Sequence, residues 1–321
     1  MLVFIFCAIL ILTLIVPMCF TVPESSVTEK QLADKDSRFV SINGLDVHYK
    51  KYGDGEPVYI LLHGTLTTTF TWNEIVSPLA QKGTVIAYDR PSFGLTSRPM
   101  AGEWKTESPY SYDAQVKLLI QLMDALSVKK AILIGNSMGG AIAWMTAERY
   151  PQRVQALILA DAVQNRHGLP PVAAVLARTA QLRHLGPLLL NSKIKNFGYY
   201  LYPLSWHDPS KIRQEYYDEY FKIFNVKNFD KGLWEFLIAA RPLESLLNAE
   251  KISVPTLVIT GDDDRVAGVE KIDNGTEDLM QLASRIKNAK LSVIKNCGHV
   301  PQEECPAEFV QAVDDFLIEL K

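Results

Sequence analysis

The chain has 321 residues, of which 48% are hydrophobic and 21% charged, and its net charge at pH 7 is −3. That balance supports a sizeable core and excludes a disordered or collagen-like chain. It also excludes the strongly basic field that nucleic-acid phosphates select, so no nucleic acid is expected as a partner.

Residues 1–22 carry no Asp, Glu, Lys or Arg, and the first charged side chain is Glu24. Twenty apolar residues rising about 1.5 Å each cover about 30 Å, the thickness of a bilayer's hydrocarbon layer. A cleavable signal usually begins with a basic region and ends in a small-residue site. Here the first base is Lys30, and Val16-Pro17-Met18-Cys19 offers no such site. The segment therefore reads as a single-pass membrane anchor and N-terminal hydrophobic helix. The alternative is a removed signal, leaving the protein secreted or periplasmic. Residues 23–37 are polar and charged, and read as a tether.

From residue 38 onward, short β-rich runs alternate with amphipathic stretches. Residues 38–42 and 45–51 flank Asn43-Gly44, a hairpin turn signal. Residues 58–62 (VYILL) form a continuous apolar run, as a strand buried on both faces should. Further strand candidates are 84–88, 131–135, 154–160, 256–260 and 291–294. Helical patterns lie between them, such as 112–126 with Val116, Leu119, Ile120 and Met123 on one face, and 306–320 follows the last strand. The alternation predicts a mostly parallel sheet after an antiparallel start. The stretch 163–250 breaks this rhythm. It is helical in pattern, rich in Leu, Tyr and Trp, and reads as a cap over a pocket at the strand C-termini.

Gly135-Asn136-Ser137-Met138-Gly139-Gly140 follows a strand candidate and precedes a helical pattern. G-x-S-x-G in that setting is a nucleophile elbow, in which a strained turn exposes the serine hydroxyl at the sheet edge. The Met138 N–H then faces a developing oxyanion, and Thr65, after His63-Gly64, can supply a second N–H donor. His63 itself reads as structural. His299, in Cys297-Gly298-His299-Val300-Pro301, sits in a loop after the last strand and reads as the general base. The acid that would orient it comes from Gly261-Asp262-Asp263-Asp264-Arg265. Asp264 is preferred there over Asp262 and Asp263, with Asp161 a rival at another strand end. Four cysteines are too few and too badly placed for a disulfide framework, and none forms a C-x-x-C pair.

With these motifs in the order Ser137, Asp264, His299, the chain from about residue 37 resembles a capped α/β-hydrolase. H-G-T, D-R-P-S-F-G from Asp89, G-N-S-M-G-G, G-D-D-D-R and G-H-V-P-Q-E-E-C-P all fall in register. The resemblance implies an eight-stranded α/β-hydrolase fold, with the core at 38–162 and 251–321 and the cap at 163–250. It implies Ser137, Asp264 and His299 as the catalytic residues, Thr65 and Met138 as the oxyanion hole, and no cofactor or metal. Asp89 maps onto a structural turn. The expected activity is a serine hydrolase acting on a small apolar ester-like or related acyl substrate. G-N-S-M-G-G is also similar to the carbon–carbon bond hydrolases of aromatic-ring degradation, so cleavage of a vinylogous diketone is an alternative. A slow-turnover ligand receptor on the same fold is another. The sequence departs from the family at Ala267-Gly268 and in extra residues around 270–278.

Overall fold

The apolar runs become strands because helices cover both faces of the sheet they form, and only side chains that tolerate full burial fit there. In the computed structural model, which describes residues 16–20, 25–163, 169–239, 248–266 and 275–320, eight strands form one sheet. They are β1 (Arg38–Ile42), β2 (Leu45–Tyr52), β3 (Val58–Leu62), β4 (Thr84–Tyr88), β5 (Ala131–Asn136), β6 (Val154–Ala160), β7 (Thr256–Gly261) and β8 (Ala289–Ile294). Their spatial order is β1-β2-β4-β3-β5-β6-β7-β8. The pairs β1/β2 and β2/β4 are antiparallel and all others parallel. Every residue of β3, β4, β5 and β7 is buried.

One face of the sheet packs on α2 (Tyr112–Ala125), α3 (Met138–Arg149) and α8 (Gly275–Arg285). The other packs on α1 (Asn73–Ala80) and α10 (Pro306–Ile318), where Trp72, Phe309 and Phe316 fill the core. Between β6 and β7 the described residues hold no strand. Instead they form α4 (Pro171–Ala177), α5 (Ala180–Leu204), α6 (Gln214–Lys222) and α7 (Phe229–Ala239). These helices build their own aromatic core around Phe224, Phe229 and Phe236, with Phe93 and Tyr110 of the body packed into it.

Residues 25–37, the described part of the stretch read as a tether, lie along the body, because their charges find partners there. Glu29 pairs with the buried Arg98 at 3.2 Å, Asp34 with Lys50 at 2.8 Å, and Val27 bridges to Val226 of the cap. Most of the expected N-terminal helix, residues 1–15, lies outside the described residues. Residues Val16–Cys19 form a 3₁₀ turn seated on α5. No described helix is long and apolar enough to cross a membrane.

The cap is held to the body by two adjacent carboxylates on the short helix α9 (Pro301–Glu304). Glu303 accepts hydrogen bonds from the hydroxyls of Thr71, Tyr220 and Tyr202. Glu304 accepts from the amides of His207 (2.8 Å), Asp208 (2.8 Å) and Gly298 (2.7 Å). Burial outweighs the three hydroxyl donors and pushes Glu303 up from 4.5 to about 7. Between those two values the folded chain keeps a proton that the unfolded chain has released, so Glu303 makes stability fall as pH rises through that window. A Glu303→Gln variant is therefore expected to lose about 3 kcal/mol less stability than the parent between pH 4.5 and 7. Denaturant unfolding at the two pH values measures the difference, and parallel losses in both proteins would rule it out.

Candidate active site

Because β3, β5, β6 and β7 run parallel and adjacent, the loops after them open on one edge of the sheet. Ser137 stands between β5 and α3 with φ 53° and ψ −122°, a strained conformation for a residue with a Cβ. The elbow closes only because its neighbours are glycines. A Cβ on Gly139 would stand 2.0 Å from the Leu62 carbonyl oxygen of β3, and one on Gly135 would stand 2.6 Å from the Gly139 carbonyl oxygen. Gly139→Ala is expected to cost about 2 kcal/mol or more, read from the denaturation midpoint. An unchanged midpoint would mean that the strand and helix part without strain.

His299 follows β8 and is 8% exposed. Its Nδ1 lies 2.8 Å from Asp264 Oδ2, which leaves Nε2 as the ring nitrogen for chemistry. Its main chain is fixed at both ends. The His299 N–H donates to the Ser205 carbonyl at 2.8 Å, and its carbonyl accepts from Asn136 Nδ2 at 3.0 Å. Asn136, directly before Ser137, also donates to the Ala160 carbonyl at 3.1 Å, so one amide ties the serine turn to the histidine loop. The motif G-N-S-M-G-G contains Asn136 but gives it no role of its own. Its burial at the end of an apolar strand was the available signal.

Asp264 turns inward, and its Oδ1 accepts from the Val266 amide at 2.9 Å. Asp263 points elsewhere, toward Arg265 and His207, and Asp262 lies 3.5 Å from Lys295. Asp161 is nearer than a mere rival would be. The side-chain ligand atoms of Asp161, Asp264 and His299 all lie within 4.8 Å of one another. Asp161 accepts from Thr260 Oγ1 at 2.7 Å and is 2% exposed. Burial first, and then the charge of Asp264 beside it, pushes Asp161 well above the usual carboxylate range. Residues 267–274, where the sequence departs from the family pattern, lie outside the described residues.

His63 has both ring nitrogens engaged. Nδ1 bonds the Gly64 carbonyl at 2.8 Å, and Nε2 accepts from the Arg90 amide at 2.9 Å. Burial and then the Arg90 charge lower its pKa to about 3, so it stays neutral and shapes the turn. Asp89 also serves the fold. It accepts from the Thr69 and Leu95 amides at 2.8 and 2.7 Å and pairs with His48 at 2.7 Å. Cys297 and Cys305 are joined as a disulfide across the loop that bears His299, a pairing that the sequence left open.

Ser137, His299 and Thr65 line one cavity of about 280 Å³ between body and cap. Its cap wall comes from α5, α6, α7 and the turn between α6 and α7, including Tyr202, Tyr220, Phe224 and Phe236. Among the described lining residues there is no Lys, Arg, Asp or Glu. Met138 opens α3, so its N–H is one of the first helical amides, which have no acceptor within the helix.

A family model described as "alpha/beta hydrolase fold" matches residues 57–306. An uncharacterized hydrolase, YugF, from Bacillus subtilis (strain 168) is 26% identical over 299 residues, covering 87% of this chain and 97% of that one. A 2-hydroxy-6-oxo-2,4-heptadienoate hydrolase from Pseudomonas putida is 28% identical over 293 residues, covering 87% and 95%. Among solved structures, a meta-cleavage product hydrolase variant from Pseudomonas fluorescens IP01 superposes with a TM-score of 0.65 at 26% identity, covering 87% of this chain and 96% of that one. The family match spans β3 to β8, the elbow and the histidine loop alike, and the chain is a member of the α/β-hydrolase fold family of hydrolases.

Proposed function

We propose that the protein is a serine hydrolase that cleaves a small, uncharged, ester-like acyl substrate through an acyl-enzyme. Ser137 Oγ attacks the carbonyl carbon while His299 Nε2 takes its proton. Asp264 holds the His299 ring and stabilises the imidazolium. The N–H groups of Thr65 and Met138 receive the oxyanion. Collapse of the tetrahedral intermediate expels the leaving group, which takes the proton from His299, and water then releases the acyl group by the same steps in reverse. The residues themselves supply a nucleophile, a base and an oxyanion site, so the scheme uses no cofactor. Membrane attachment through the apolar segment at 1–22 belongs to the same reading. Recovery of full-length protein with Met1 intact in the membrane fraction would support it, and intact soluble protein would refute it.

The observation that carries the ester reading is the lining of the cavity. A neutral acyl chain loses nothing on entering it, whereas a free carboxylate meets no cationic side chain among the described residues. A second reading, carbon–carbon bond cleavage, is favoured by the relatives named as hydrolases of a dienoate or dienoic acid. A panel of neutral esters set against a carboxylated vinylogous diketone separates the two. Multiple turnovers on the esters, with kcat/KM at least tenfold above the diketone, are expected. The reverse order would favour carbon–carbon cleavage, and a single turnover on all of them a ligand receptor.

A further inference from the structure

Asp161 follows β6 directly, behind the proposed triad, and the donors around it are too few for a buried carboxylate. Asp89 gives the contrast within the same molecule. It is just as buried, but it accepts from two amides at 2.8 and 2.7 Å and pairs with His48 at 2.7 Å. Burial opposes its charge, yet His48 and the amides overcome that and hold the carboxyl down to about 2. Asp161 has no such shell. It accepts from the Thr260 hydroxyl at 2.7 Å and from the Gly261 amide at 3.4 Å, and that one hydroxyl proton also lies near the Gly261 carbonyl oxygen, 3.1 Å from Thr260 Oγ1. Its backbone stands at φ 41°, a strained conformation that persists only where the surroundings impose it.

Asp264 stands within 4.8 Å of Asp161, and so does the His299 ring. Two carboxyl groups this close and out of water do not both ionise, and the one with the poorer donors keeps the proton. Asp264 has the better set, the Val266 amide at 2.9 Å and His299 Nδ1 at 2.8 Å. The other charged side chains on the loops packed here are engaged elsewhere, among the described residues. Asp262 faces Lys295, and Asp263 faces Arg265 and His207. Glu304 accepts from three amides and Glu303 from three hydroxyls. Asp161 does not line the cavity, so whatever it does to the reaction passes through Asp264.

We infer that Asp161 is a positioning residue whose carboxyl O–H faces the Asp264 carboxylate, so that the two acids share one proton behind His299. The inference rests on the triad proposed above and extends it by one residue. With the proton on Asp161, the pair carries a single negative charge, drawn partly away from the imidazole. That balance sets how readily His299 takes the proton of Ser137.

The test compares the full-length parent with Asp161→Asn and Asp161→Leu. The first readout is the acid limb of kcat/KM on a neutral ester, which reports His299 in the free enzyme. Asparagine is neutral and can donate to Asp264 while accepting from Thr260, so the limb is expected to stay within about 0.3 pH unit. Leucine has no donor. Asp264 then keeps its full charge density and stabilises the imidazolium more, which should move the limb up by about half a pH unit or more. An ionised Asp161 gives the opposite sign. Its replacement by asparagine would withdraw a negative charge within 4.8 Å of the ring and lower the limb by about one pH unit or more. That result would overturn the inference, and so would a limb that leucine leaves unmoved. Glu303, pushed up to about 7 by burial, is present in all three proteins and cancels in the comparison. The second readout needs no turnover. The infrared difference between the parent and Asp161→Asn at neutral pH should contain the carbonyl stretch of a protonated carboxyl, and carboxylate bands in its place would overturn the inference. If Asp161→Leu does not fold, this band and the asparagine limb decide. If no ester turns over in the parent, the serine-hydrolase scheme fails, and the infrared band still decides where the proton sits.

Discussion

A Ser137→Ala variant is expected to lose fluorophosphonate labelling and to turn over acyl substrates roughly 10⁴- to 10⁶-fold more slowly than the parent, the scale of removing a triad serine. The substitution keeps the Cβ, so the strained φ of 53° and the close approach of β3 to α3 are unchanged. Stability should stay within about 0.5 kcal/mol, and the loss is then chemical and not a failure to fold. The residual rate would come from the Thr65 and Met138 amides and the apolar cavity, which still bind and polarise the carbonyl. Other hydroxyls border the same cavity, among them Ser205 and Thr67. Ser205 bonds the Tyr202 carbonyl at 2.6 Å, and neither residue stands at a helix N-terminus beside His299. Continued labelling of the alanine variant would therefore move the nucleophile to one of them and overturn the proposed scheme.

Asp264→Asn is expected to lower turnover by about 10⁴-fold. The carboxylate now fixes Nδ1 as the protonated nitrogen of His299, across 2.8 Å. An amide can present its own N–H there and stabilise the tautomer whose Nε2 carries the proton, which cannot accept one from Ser137. Asp161→Asn is expected to cost about tenfold or less, the scale of one altered hydrogen bond. Asp161 is already pushed toward its neutral form by burial and by Asp264, and asparagine has nearly the shape of that form. It can still accept from Thr260. Asp263→Asn should also stay within about tenfold, because Asp263 bonds Arg265 and His207 and not the His299 ring. Steady-state kinetics on one neutral ester ranks the three variants. Near-normal activity in Asp264→Asn with collapse in Asp161→Asn would transfer the acid from β7 to β6.

The sheet was readable in the sequence because its central strands have one environment. Runs such as VYILL and AILIG are apolar throughout and wholly buried, and no other common element of that length buries every side chain. The strand expected at 84–88 is Thr84–Tyr88, and the helix expected at 112–126 is Tyr112–Ala125. The elbow was equally local, since a serine in that turn needs glycines that leave room for β3 and α3. What depends on contacts between distant segments was not readable. The expected tether at 23–37 folds onto the body in its described part because Arg98 is buried and needs Glu29. No local pattern announces a partner 69 residues away. Glu303 and Glu304 look like an exposed acidic pair, and become the fastening of the cap only when Tyr202, Tyr220 and the His207 loop arrive from another part of the chain. The same holds for the acids near His299. Sequence motifs ranked Asp264 above Asp161, but that both crowd the histidine follows from the parallel pairing of β6 with β7, Ala160 opposite Ile259, which brings the ends of the two strands side by side. Periodicity and turn chemistry act over a few residues, so the sequence could specify them alone, whereas pairing between strand ends and closure of the cap depend on where the whole sheet puts its edge.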